Sequence, residues 1–398
     1  MNIYIVTSKL NFRSAGGSVE EIDLIIRTLQ KFGNKVTVIT AFSSENDIPF
    51  ELPYRVIEER LDSPSMFSLQ KAMFLLLRRY ENDADIFHVE AHMFMYSAGL
   101  YRFLGGKKPV VAFFNQYLSC WEQYESSLFP RLKLSFLKKI KAKTRWLTER
   151  VFGVFLANRI DLFSFVSPTL RTMYEDFGLR HAETDVVVGD PIDTKKIMRD
   201  AGIAEDSYSK RADHSGPIIL FYSSRMSPGK GFDILLSAFS RLKNKEAFHL
   251  VLGGKGPEET HVRAMIKDLN LEKYVELPGW VSKEQLYQNY KKADIFIQAD
   301  WWPAGTSISL IYALAFGVPS ILPGGGGLEW NAKGGALYFP YRDVDALARI
   351  IERLGSSSEL RKNLSRKCYE RLGEDEMNPE KQIYKLDGAI RTVLALEH

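Results

Sequence analysis

Ile218-Ile219-Leu220-Phe221-Tyr222-Ser223-Ser224-Arg225-Met226-Ser227-Pro228-Gly229-Lys230-Gly231 opens the stretch that decides the fold. The first five residues are an unbroken apolar and aromatic run, the pattern of a strand buried on both faces in a parallel sheet. Phe232 to Leu242 then places Leu235, Leu236, Phe239 and Leu242 on one helical face. A second strand, His249 to Leu252, runs into Gly253-Gly254-Lys255-Gly256-Pro257. The order is strand, cationic loop, helix, strand, and the loop falls at the carboxyl end of its strand, where open α/β sheets bind ligands. Arg225 offers a planar fork and Lys230 a point charge, and the small residues between them let a ligand approach the backbone. A phosphate or diphosphate is the guest this chemistry suits; a solvated basic loop is the alternative.

The same grammar extends in both directions. Upstream, Ile3 to Thr7 is a strand, Ser14-Ala15-Gly16-Gly17-Ser18 a glycine loop, Val19 to Phe32 an amphipathic helix and Lys35 to Thr40 a strand. Further strands are expected at Ile86 to Val89, Pro109 to Phe114, Leu162 to Ser167 and Val186 to Val188. Downstream, strands are expected near 275, 294, 319 and 336, with helices between them. Residues 201–216 are polar and aperiodic and read as a linker between a first domain, 1–200, and a second, 217–378. The last helical stretch, Pro379 to Glu397, precedes no strand and is placed back on the first domain. The expected fold is α/β, with two doubly wound Rossmann-like domains facing across a cleft.

Composition narrows the function. The 398 residues carry a formal charge of only +4, too little to point to nucleic acid. No apolar run is long enough to span a bilayer. Cys120 and Cys368 lie far apart with no metal spacing, so reduced thiols in a cytoplasmic protein are expected. The glycine loop lacks the G-x-G-x-x-G pattern, which argues against a nicotinamide cofactor. His88, Glu90 and His92 alternate at a strand end, but a metal site would need a further ligand, and none is expected.

Gly16-Gly17, Arg225 to Gly231, Gly254 to Pro257, Val275 to Val281, Ala313-Leu314-Ala315-Phe316-Gly317-Val318-Pro319, and Gly325-Gly326 with Glu329 stand in sequence. As an ordered set they resemble the retaining GT-B-fold glycosyltransferases of family 4. The resemblance implies that Arg225 and Lys230 hold the diphosphate of a UDP- or GDP-sugar and stabilise it as it leaves, with no metal or other cofactor. It implies donor contacts at Gly16, Gly17, Gly254, Gly256, Val281, Gly305, Thr306, Ser307, Tyr312 and Glu329. The chain departs from the family pattern at three places. Ala304 and Tyr312 stand at the ends of a nine-residue span where the family has glutamates. Asn115 stands for the usual histidine after the first domain's fourth strand.

Two other stretches bear on partners. From Phe129 to Leu156, apolar Leu132, Phe136, Ile140, Leu147, Val151 and Phe155 share a helical face, while Arg131, Lys133, Lys138, Lys139, Lys141, Lys143, Arg145 and Arg150 stud the remainder. That is the composition of a helix lying on anionic lipid, with a core-packed helix as the alternative. Phe113-Phe114-Asn115-Gln116-Tyr117, with Trp121 and Tyr124, puts aromatic faces at a strand end, and Asn115 and Trp121 are candidate acceptor contacts. The expectation is a transferase, peripheral on the cytoplasmic face of the membrane, passing a hexose-type sugar to a lipid-linked or saccharide acceptor. A catalytically inactive subunit supporting a partner transferase and a nucleotide-sugar epimerase are the rival readings.

Overall fold

The computed structural model describes residues 1–13, 17–61, 65–116, 135–211, 216–301, 303 and 305–396. Gly16, Trp121 and Ala304 lie outside the described residues, as do Cys120, Arg131, Leu132 and Lys133. The chain forms two compact units, Met1–Ile192 with Asn378–His398, and Asp193–Met377. Each is built on one parallel sheet.

The first sheet has seven strands: β1 Asn2–Thr7, β2 Lys35–Thr40, β3 Arg55–Glu58, β4 Ile86–Glu90, β5 Val110–Phe114, β6 Leu162–Phe165 and β7 Val186–Val187. Their spatial order is β3-β2-β1-β4-β5-β6-β7. β4 and β5 are buried at every position because helices cover both faces. β3 has no such pattern: Arg55-Val56-Ile57-Glu58 is a half-exposed edge strand, too short and polar to be legible in the sequence. Asn115 therefore follows the fifth strand, not the fourth. β1 and β4 are spatial neighbours but not sequence neighbours, so a crevice opens between their carboxyl ends.

The second sheet has six strands: β8 Ile218–Ser223, β9 Phe248–Gly253, β10 Val275–Gly279, β11 Ile295–Ile297, β12 Ser320–Pro323 and β13 Ala336–Phe339. The order is β10-β9-β8-β11-β12-β13, so the equivalent crevice lies between β8 and β11. Within the expected linker, residues 201–211 are described and are anchored to the second unit. Residues as early as Asp193 belong to the second unit. Tyr208 is buried and donates from its hydroxyl to the Asp294 carbonyl at 2.7 Å, and Arg211 pairs with the Asp294 carboxylate. Its polar composition concealed these anchors.

Helix Pro379–Leu396 packs on the first unit. It buries Ile383, Leu386, Ile390 and Val393 in that core. The Asn34 amide donates to Asp387 at 2.7 Å, and Asp387 also pairs with Arg391 at 2.7 Å. Cys368 is a buried free thiol, and burial pushes it up to about 12, so it packs rather than reacts.

Candidate functional site

In the second unit the loop after β8 is held from two sides. The Ser224 amide donates to the Gly253 carbonyl at 3.2 Å and the Met226 amide to the Lys255 carbonyl at 2.9 Å. Gly254, at φ +119°, lies so close that a methyl group there would come within 1.9 Å of the Ser224 carbonyl oxygen. Gly231, at φ +69°, would place a methyl 1.7 Å from the Ala299 carbonyl oxygen. A methyl on Gly256 would meet the Met226 carbonyl oxygen at 2.3 Å. These glycines therefore let three loops converge at the carboxyl edge of the sheet.

The two cations differ in their surroundings. Arg225 is exposed, and its carbonyl accepts from the Ser227 amide at 2.8 Å. Lys230 is half-buried, its Nζ 3.5 Å from Oδ2 of Asp300. Asp300 is buried at the far side of the crevice, and accepts from Gln298 Nε2 at 3.0 Å and the Tyr222 hydroxyl at 3.4 Å. Asp300 thus aims Lys230, and its own position is fixed by burial. Asp300 is a residue that sequence reasoning missed. Its only signal was an acid three residues beyond the buried run Ile295-Phe296-Ile297.

The remaining second-unit candidates divide. Val281 Cγ2 lies 3.7 Å from where a methyl on Gly253 would stand, beside the convergent loops. Gly305 is buried, and Thr306 and Ser307 are half-buried, with Ser307 capping helix Ile308–Ala315 through the Leu310 amide at 3.4 Å. Ser309 in that helix donates to the Ser223 carbonyl at 3.0 Å, tying it to the end of β8. Glu329 accepts from the Gly325 amide, bracing the glycine turn after β12. Tyr312 is buried and lies among aromatic rings, with centroids 6.1 Å from Tyr287 and 6.0 Å from Tyr290.

In the first unit a polar group fills the crevice between β1 and β4. Glu90 is buried and accepts from the Thr7 hydroxyl at 2.8 Å and the Ser8 amide at 3.0 Å. Glu21 is 1% exposed. Burial and then Asp190 hold its carboxyl well above the usual carboxylate range, against the lowering effect of Asn115. Burial pushes His92 down, opposed by the neighbouring Glu90 and Asn115. Glu21 Oε1, Asn115 Oδ1 and His92 Nδ1 are buried without hydrogen-bond partners. Gly17 starts the helix Gly17–Lys31 that carries Glu21. Glu21 and Asp190 were also missed. Glu21 shares a helical face with the buried Ile25 and Thr28, and an acid in that stripe was the available signal.

The basic stretch forms helix Phe136–Thr148, continued through a π turn, Glu149–Gly153, into Val154–Ala157. It packs inward through Ala142, Gly153, Val154 and Ala157, and the Tyr96 hydroxyl donates to Glu149 at 2.7 Å. Phe136, Leu137, Ile140, Leu147, Val151, Phe152 and Phe155 are exposed beside exposed Lys138, Lys139, Lys141 and Lys143. The apolar side of this helix is therefore not its core side. Among the described residues no helix is long and apolar enough to cross a membrane, and no group of three potential ligands could hold a metal ion.

Comparison with known proteins follows the division into units. Residues 15–196 match the Glycosyltransferase Family 4 model, and residues 205–371 match Glycosyl transferases group 1. Alpha-monoglucosyldiacylglycerol synthase of Streptococcus pneumoniae is 23% identical over 90% of this chain and 80% of its own length. Mannosylfructose-phosphate synthase of Agrobacterium fabrum is 27% identical over 40% of this chain, a match that spans only 36% of that relative. Among solved structures, Anabaena Alr3699/HepE in complex with UDP superposes with a TM-score of 0.68 at 16% identity, over 98% of this chain and 100% of its own.

Proposed function

We propose that this chain, whose two halves match the Glycosyltransferase Family 4 and Glycosyl transferases group 1 models, is a GT-B glycosyltransferase that transfers a sugar, with retention at the anomeric carbon, from a nucleotide diphosphate sugar to a saccharide or lipid-linked acceptor. One observation carries the reading: Arg225 and Lys230 stand together in a loop packed on Gly254 and Gly256 at the carboxyl end of β8. As the bond from the anomeric carbon to the diphosphate breaks, negative charge gathers on the leaving phosphate. The Arg225 fork and the Lys230 ammonium meet that charge where it develops, and preorganised donors of this kind supply a large part of many rate enhancements. Asp300 holds Lys230 in place before the donor arrives. The UDP in the Anabaena neighbour supports a nucleotide-sugar donor. Asn115, with Glu21, Glu90, His92 and Asp190 around it, is the acceptor-side group in this proposal.

The exposed apolar and basic helix 136–157 supports a peripheral association with anionic membrane, which suits an acceptor carried on lipid. The glycolipid product named for the Streptococcus relative fits the same reading.

The test is calorimetric titration of UDP and GDP into wild type and into the double variant Arg225→Ala, Lys230→Ala. Hydrogen bonds to charged groups are worth about 1.5–3 kcal/mol each, so the double variant should bind on the order of a hundred-fold more weakly or worse. Unchanged affinity in the folded double variant would remove these two residues from the donor site.

A further inference from the structure

Tyr341 and Arg342 follow β13 in the second unit, and neither the cation loop nor the core accounts for their geometry. Arg342 adopts φ +66°, a left-handed conformation that a non-glycine residue takes only at a cost. Its Nε donates to the Trp301 carbonyl at 2.9 Å. The Trp301 amide in turn donates to the Gly229 carbonyl at 2.9 Å, one residue before Lys230. The Trp301 indole donates to Asp233 at 2.8 Å. The turn at 341–342 is therefore bonded to the backbone that carries both Lys230 and its partner Asp300.

This arrangement positions the Tyr341 hydroxyl. It is shielded from solvent and has no hydrogen-bond partner. A methyl group on Gly326 would come within 2.7 Å of it and within 3.3 Å of Pro303. Burial, then Asp300 and Glu329, raise the affinity of the phenol for its proton, so it stays a neutral O–H. A buried hydroxyl left unpaired is unfavourable, and such groups in native proteins call for an explanation. Gly324-Gly325-Gly326-Gly327 presents no side chain on that side, so the turn can yield to admit a ligand atom.

We propose that the Tyr341 hydroxyl pairs with a hydroxyl group of the donor's sugar, and so distinguishes one nucleotide-sugar from its epimers. The inference rests on the donor-site reading of Arg225 and Lys230. A site built to hydrogen-bond a substrate hydroxyl discriminates strongly, because the wrong substrate leaves its buried partner unpaired. Arg342 acts through Trp301 as a positioning residue.

The experiment measures binding of UDP and of a panel of UDP-hexoses and UDP-N-acetylhexosamines to wild type, Tyr341→Phe and Gly326→Ala. Tyr341→Phe removes one oxygen and keeps the ring packed. It should bind UDP within about two-fold of wild type while the preference for the best sugar over its epimers shrinks about ten-fold. Gly326→Ala should weaken nucleotide-sugars more than UDP, since the added methyl takes the space beside the hydroxyl. If UDP binding and sugar preference are both unchanged in Tyr341→Phe, the inference fails alone. If wild type binds no nucleotide or nucleotide-sugar, the donor reading fails and this inference with it.

Discussion

His88 lies in β4 with neither ring nitrogen hydrogen-bonded, its ring 5.7 Å from that of Phe113. Burial pushes its pKa down to about 4. A histidine depressed in the folded state binds fewer protons there than in the unfolded chain. Stability therefore rises with pH across the interval from about 4 to about 6.5, and is lost as pH falls through it. The contribution is about 3 kcal/mol at most. His88→Leu should keep the fold and flatten this acid limb, as urea midpoints at pH 7 and pH 4.5 would reveal; an unchanged slope would refute it. Glu21 works in the opposite sense. Its raised carboxyl favours the fold below the ordinary carboxylate range, and that advantage is lost as pH rises toward its folded value.

Helix 136–157 depends on close backbone approach at its inner side. A methyl on Gly99 would fall 2.1 Å from the Leu156 carbonyl oxygen, and one on Gly153 would strike the Tyr96 ring at 2.5 Å. These contacts fix which side faces out, and they leave Phe136 and Phe152 at 76% and 70% exposure. Exposed phenylalanines beside lysines suit the headgroup boundary of a bilayer. Each lysine near an anionic surface is worth about 1 kcal/mol. Reversing Lys138, Lys139, Lys141 and Lys143 to glutamate should then weaken binding to phosphatidylserine vesicles by on the order of a hundred-fold or more. Wild-type binding should also weaken as salt rises. Flotation of wild type with such vesicles at low salt tests this, and failure to float would refute membrane attachment by this helix.

At the scale of the molecule, the chain leaves the first unit, builds the second, and returns. Ile390 is fully buried in the first unit's core, beside Ile383 and Leu386. Removing most of such a side chain costs about 2–5 kcal/mol. A ligand stabilises only the state that binds it. Calorimetric unfolding should therefore show two transitions, one raised by UDP and the other lowered by Ile390→Ala. A single transition shifted by both would show that the units do not melt separately.

The sequence by itself determined the local grammar: apolar runs bounded by small residues, amphipathic helices between them, and two cations in one glycine-rich loop. Strand and helix periodicity is local, so most of both sheets and the Arg225–Lys230 loop were legible without coordinates. Edge strand β3 was not, because half-exposed residues carry no apolar run. Only the tertiary structure decided which residues meet. Glu90 bonds Thr7 across 83 residues and Lys230 meets Asp300 across 70. The sheet order puts β4 beside β1 and β11 beside β8, and nothing in the local composition of either strand states that neighbour. Burial of Glu21 near Asp190, the place of Tyr312 among Tyr287 and Tyr290, and the unpaired Tyr341 hydroxyl against Gly326 arise from packing between elements distant in the chain. Such contacts depend on register and on the space left by neighbours, which no single stretch of sequence encodes.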